Sequence, residues 1–537
     1  MREPAARGDG RPTEPGIARR DLLRAGTVGV ALAATTGTAS AHEYGSSGES
    51  TDDGDHGHAD GGIHGATNNV DLLDYHSVGD VGPSSESGRA TSPHYGALSE
   101  IRVEGDHAYV SVFSSKDPTN NRGLAILDVS AFEDAENASE LREAELEVVS
   151  FLRNDNDASA VMDVKVSDDG DYVFISKQPY TALFGETDPT ADADDGDATT
   201  VSAAALQAVD VSDPENPLVV GTYDGWDTGP HNSWYHRIGG AEYVFGVKDL
   251  NDGSAALYVF RFDRTTGALV LVNEWNVDGN LPDLGTGGTN YIHDITVQDD
   301  ERLDGPVGYL SYWDQGLWAL DLSDPTDIQP LGHFSMGAAH YAEPTPTYVD
   351  GKRVVVAGQE ISGQEDGSSG KVYLLDADGL DDGFDGSDNV EKLDEWEWKS
   401  NVTFENFTLS PHNFNVTERG YVHLGHYHGG TRFLRIDEGD WTLAEKGYFQ
   451  AAEAVPEESK MEGLNHAAPF TWAAVAQNGV TYVSDANTGV YALRFKPDSS
   501  GDDLKSRLGL AAGAAGLGGL LTRDSDRVGD VLERVDE

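Results

Sequence analysis

Histidines recur in this chain just ahead of stretches that read as strands. Pro230-His231-Asn232-Ser233, Ile292-His293-Asp294-Ile295 and Pro411-His412-Asn413-Phe414 each place a His, then Asn or Asp, then an apolar run. His340 and His466 stand near two further strand starts, and Ser99-Glu100-Ile101 and Met162-Asp163-Val164 occupy the same register in two more. Imidazoles desolvated together favour a cation or a proton. Neutral imidazoles beside a carboxylate suit zinc, copper, iron or nickel, so a transition-metal ion of open identity is the expected cofactor. The Asn or Asp after each His is placed to orient the ring. A second group is His426-Tyr427-His428, where strand alternation sends both histidines to one side as a metal pair. Glu360 and Asp314 are the candidate general bases for a bound water. Any one of these residues is also an ordinary satisfied histidine or turn carboxylate; only their convergence makes a site.

Convergence has to come from the fold, and the fold is written in a repeat. Residues 317–334 read LWALDLSDPTDIQPLGHF and residues 206–223 read LQAVDVSDPENPLVVGTY. Each is an alternating apolar strand, an Asp, a turn on Ser-Asp-Pro, and a second strand closing on Gly-x-aromatic. Period-2 alternation marks a strand with one buried face. The Asp sets the turn by accepting from backbone two residues on, and the Pro by fixing its own backbone angle. Shorter copies start at Leu124, Leu257, Val372, Thr431 and Val490. Seven units of four strands predict an all-β, seven-bladed β-propeller. Inner strands of a propeller line one axis and start on one face, which is what brings the histidines together. The turns between second and third strands, carrying Asp314, Glu360 and the His426/His428 pair, return to that face. The stretch NVDLLDYHSVG from Asn69 resembles a fourth strand, and the last unit lacks one; the expectation is an N-terminal strand that closes the ring.

The Asp-Val-Ser-Asp-Pro stretch resembles the LVIVD-repeat family of secreted or surface β-propellers, over about residues 70–495, most closely in units two and four. That resemblance implies the fold but no single reaction, since propellers host many functions. A more distant likeness is to the methanethiol oxidase/selenium-binding propellers. These carry inner-strand histidines and use copper; the cysteine tied to selenium binding there has no counterpart in a chain with no Cys.

Composition bounds the rest. With 94 acidic and 36 basic residues the formal net charge is -58, which argues against nucleic acid as a partner. The acids are spread through every repeat, and a surface of this kind suits a medium where salt screens it; the chain resembles a secreted protein of a salt-loving archaeon. The absence of Cys excludes disulfides, thiolate metal sites and a cysteine nucleophile. Arg19-Arg20, an apolar run from Ala25 to Ala34 and Ala39-Ser40-Ala41 are the parts of a twin-arginine export signal. The expected organisation is signal peptide 1–41, disordered linker 42–68, propeller 69–496 and a mobile or weakly helical tail 497–537, with an extracellular or cell-surface location. The apolar stretch 508–521 is too short to span a membrane. A monomer is expected, meeting a small molecule at the channel mouth. The competing expectation is a non-catalytic module that grips a cell-surface glycan or protein through its long blade loops.

Overall fold

The computed structural model describes residues 65–78, 96–115, 122–156, 159–179, 204–226, 229–248, 255–284, 291–361, 369–398, 409–451 and 468–497. The twin-arginine stretch, most of the linker, the tail from 498 and the acidic insert 186–200 lie outside these residues.

Seven antiparallel sheets form seven blades. Blades one to five are four-stranded and cover residues 96–153, 159–223, 232–275, 294–334 and 339–397; blades six and seven begin at residues 414 and 471. The first strands of successive blades contact one another in order, and the first strand of blade seven, Thr471–Gln477, contacts that of blade one, Gly96–Glu104. The inner strands therefore form a closed ring around one axis.

The repeat builds each blade in the same way. At the end of the third strand, the carboxylate of Asp128, Asp210, Asp263, Asp321, Asp376 or Asp437 accepts a hydrogen bond from the backbone N–H two residues later, at 2.8 to 3.0 Å in the six blades. Such side-chain bonds satisfy a turn amide that the ladder cannot reach. The blade faces are apolar and pack on their neighbours: Tyr341, Val354, Val356, Val372 and Leu374 of blade five meet Phe414, Val422, Leu424 and Leu434 of blade six. Each such side chain, fully buried, contributes about 1.5–3 kcal/mol.

The N-terminal segment serves two blades. Val70–His76 pairs antiparallel with Gly489–Phe495 as the fourth strand of blade seven. Just before it, Gly65–Asn68 pairs with Thr442–Ala451 as a fifth strand of blade six. That corrects the linker boundary: low apolar content predicts disorder to residue 68, but an open sheet edge supplies backbone partners that composition does not reveal. Blade one departs from the plain repeat in another way, with two short helices, Ser130–Glu133 and Ala138–Glu143, between its third and fourth strands.

Candidate metal centre

Four histidines meet at the axis, one from each of blades three to six. His231, His293 and His412 hold one backbone position, just before or at the opening of the inner strand. Each donates its backbone N–H to the end of the second strand, at Val247 O (2.9 Å), Ser311 O (2.8 Å) and Gly425 O (2.8 Å). His340 reaches the same level by a bulge: Ala339 pairs with Gln359 and Tyr341 with Gly358, so His340 is the extra residue. A bulge re-aims a side chain at a ladder's end. All four are buried. Ring centroids lie 4.6 Å apart for His231–His293, 4.0 Å for His293–His340 and 4.2 Å for His340–His412.

Glu360 follows the second strand of blade five and joins this group. Its backbone N–H donates to Ala338 O at 3.1 Å. Its Oε2 lies 3.4 Å from His340 Nε2 and 3.8 Å from His293 Nε2. One ligand atom from each of His293, His340 and Glu360 falls within 4.8 Å of the others, close enough to hold one metal ion. The other carboxylate oxygen, Oε1, accepts the hydroxyl of Tyr427.

The outer nitrogens show how the rings are set. His231 Nδ1 faces Gln178 Oε1 at 3.0 Å, His293 Nδ1 faces the carbonyl oxygen of His340 at 3.1 Å, and His412 Nδ1 faces that of Trp472 at 2.8 Å. These oxygens only accept, so each Nδ1 carries the proton and each Nε2 keeps its lone pair. His231 Nε2 and His293 Nε2 are 3.2 Å apart. Two lone pairs at that distance are reconciled by a proton or a cation between them. The donor set, imidazole Nε2 atoms with one carboxylate, three of the four rings oriented by an acceptor behind Nδ1, fits a transition-metal ion.

The turn after the second strand has the same form in blades four and six. Tyr312 N–H donates to Gly316 O and His426 N–H to Gly430 O, both at 2.9 Å. Trp313 and Tyr427 both take φ of +39°, in the left-handed region that non-glycine residues seldom adopt, and both bridge to the next blade's inner strand. These middle residues face the axis. The Trp313 ring lies 5.6 Å from His293 and the Tyr427 ring 4.7 Å from His412.

Their neighbours in sequence face elsewhere, which corrects three placements. His426 sits against Trp396 and Trp398, with ring centroids at 5.8 and 5.6 Å, and has no part in the axial group. Burial there pushes its pKa down to about 3, aided by the nearby Arg432. His428 packs edge-on against Phe470 at 4.9 Å. Asp314 is exposed and lines a cavity with Trp318, His333 and Asp388, away from the histidines. Strand alternation does not hold here: the left-handed residue between them turns Tyr427 inward, and leaves His426 against blade five and His428 against Phe470 on the blade-seven side. His466 lies outside the described residues. Gln178 carried no signal in the sequence; the turn shared by 312–316 and 426–430, aromatic then Gly three residues on, was the signal for Tyr427 at the axis.

No curated protein matches the chain. Solved structures of similar outline include U3-55K (10% identity, TM-score 0.45, covering 77% of this chain and 99% of that one). Others are the periplasmic gluconolactonase of Pseudomonas aeruginosa (10%, 0.43, 75% and 99%) and the RRP9 WD40 repeats (10%, 0.44, 77% and 98%). Likenesses this distant carry nothing about the chemistry of the axis. The LVIVD repeat family model matches residues 95–132 and 201–225, which hold the third strands of blades one and two. With those repeats in two of its blades and the same strand-and-turn plan around the ring, the chain is a seven-bladed β-propeller built with LVIVD repeats.

Proposed function

We propose that this chain is an exported metal-binding propeller whose axial histidine group holds a transition-metal ion and presents it to a small molecule. The observation that carries the reading is the convergence of His293, His340 and Glu360 within 4.8 Å, with His293 Nδ1 engaged by a carbonyl oxygen behind its ring. A bound ion of this class supplies Lewis-acid or one-electron chemistry to a small-molecule oxidation or hydrolysis. The chain's own residues divide the remaining work. His231 and His412 flank the three donors and can complete or adjust the donor set. Tyr427 holds Glu360 Oε1 and leaves Oε2 turned toward His293 and His340. With its Oε2 beside two imidazoles, Glu360 acts as a ligand rather than as the base to a bound water. Trp313, Tyr427 and Trp472 wall the group with aromatic surface and keep water from the donors.

Elemental analysis of the mature protein, purified from a host that exports it, tests this. Close to one equivalent of copper, zinc or iron per chain is the expected result, lost in a His293→Ala/His340→Ala double variant that still folds. Metal-free protein that takes up none of these ions, with folding indifferent to the two changes, overturns the reading.

A further inference from the structure

One residue deeper along the inner strands lies a second tier of polar side chains with a different chemistry. Glu100 of blade one, Asp163 of blade two, Asp294 of blade four and Asn413 of blade six stand at this level, and all are buried. Two of them meet across the axis. Asn413 Nδ2 donates to Glu100 Oε2 at 2.5 Å, a contact that skips blade seven. Two residues further along the strand, Arg102 Nη2 reaches Glu100 Oε1 at 3.1 Å and Tyr341 of blade five at 3.4 Å. Lys165 pairs with Asp163, whose Oδ2 also accepts the backbone N–H of Ser233 at 2.8 Å.

The charges at this level do not balance. Arg102 answers Glu100 and Lys165 answers Asp163, which leaves Asp294 with no cation of its own. Its Oδ1 accepts from the N–H of Ile295 at 2.7 Å, while Oδ2 is buried with no hydrogen-bond partner. Asn413 Oδ1 is likewise buried with no partner. The amide cannot be turned to relieve it, because Nδ2 is committed to a carboxylate. Two acceptor-only oxygens without donors, beside an excess of carboxylate, is a costly arrangement unless a cation takes the oxygens.

We infer that this tier binds a hard divalent cation of the calcium or magnesium type through Asp294, Asn413 and Glu100, separately from the histidine group above it. All three ligands are oxygens, two carboxylates and an amide, the set that hard cations take and softer transition metals do not favour. The histidine tier offers nitrogen, so the axis sorts two kinds of ion by depth.

The test uses the full chain, stripped with chelator and returned to chelator-free buffer, with ionic strength held constant by NaCl so that the acidic surface gives only a weak background. Titration with CaCl2 and with MgCl2 is followed by calorimetry and by melting temperature. One saturable equivalent of at least one ion and a raised Tm are expected. Asp294→Asn lowers that affinity at least about tenfold and removes the Tm shift. Asn413→Leu serves the same purpose if Asp294→Asn does not fold. The His293→Ala/His340→Ala variant keeps this equivalent, so loss of the transition-metal reading leaves the inference standing. No saturable equivalent in the wild-type chain, or equal binding in wild type and in both variants, overturns it.

Discussion

The axis and the two flanks of blade six both bury histidines, and they bury them for different ends. On the axis, His231, His293 and His412 each have a backbone or side-chain oxygen behind Nδ1 and neighbouring imidazoles in front. On the flanks, His423 and His426 are surrounded by aromatic rings, His423 by Phe433 and Phe495 and His426 by two tryptophans. Burial is complete in both places. What separates them is whether lone pairs are aimed at a common point. A flank imidazole is a packing piece that happens to be titratable; an axial one is held in one tautomer with one nitrogen reserved.

Exchanging the roles of the two regions gives the sharpest contrast. His293→Ala/His340→Ala is expected to lose all bound transition metal, whereas His426→Phe, with a ring of similar size between the same tryptophans, is expected to keep it. Equal metal content in the two variants would erase the distinction.

Acid provides the next largest effect, and it belongs to the flanks. Burial holds His423 and His426 at about pH 3, while an unfolded histidine titrates near 6.5. Between those values the unfolded chain binds protons that the folded chain refuses, so stability falls as pH drops through this window. The slope is about 1.4 kcal/mol per pH unit for each histidine. Denaturant midpoints taken from pH 6 to pH 4 should therefore fall less steeply for His426→Phe than for the wild type. Parallel slopes would show that His426 is not held neutral.

Support behind the axial rings comes third. Gln178→Leu removes the acceptor at His231 Nδ1 and frees that ring to turn. Loss of such an orienting partner costs about 10–100-fold in metal affinity, readable by competition with a chelator. Unchanged affinity would place His231 outside the donor set. Tyr427→Phe should give the smallest change, about tenfold or less, because it removes only the hydroxyl that steadies Glu360 and leaves the three donors in place.

The blade plan was legible because its signals are local. An alternating strand and the Asp that closes its turn lie within eight residues, and the hydrogen bond from Asp to the second amide onward recurs in six blades as the residues dictate. The axial histidines were legible for a related reason: a shared register becomes a shared place once a ring is closed. Asp314, His426 and His428 were misplaced because their direction depends on the sign of φ at Trp313 and Tyr427, which no side-chain pattern encodes. The acceptors behind His293 and His412 were equally invisible, being backbone carbonyls of His340 and Trp472 in the following blades. The imbalance of the deeper tier needed a count of partners around Asp294 that only three dimensions supply.

The segment from residue 65 to residue 76 sets the timetable for the molecule's assembly. Its partner strand in blade seven is the last strand of the described residues, and Lys496 pairs with Asp71 across a sequence separation of 425. Bringing such distant ends together costs about 5 kcal/mol in chain entropy before any of the seam's contacts repay it. Blades one to five can form as they leave the ribosome, but the seam must wait until residue 496 has been made, with residues 70–76 held in reserve until then. A chain cut short by even a dozen residues before 496 would have its strand Val70–His76 and no partner for it. Quality control is thereby built into chain order, since only a molecule translated through its seventh blade can fasten itself.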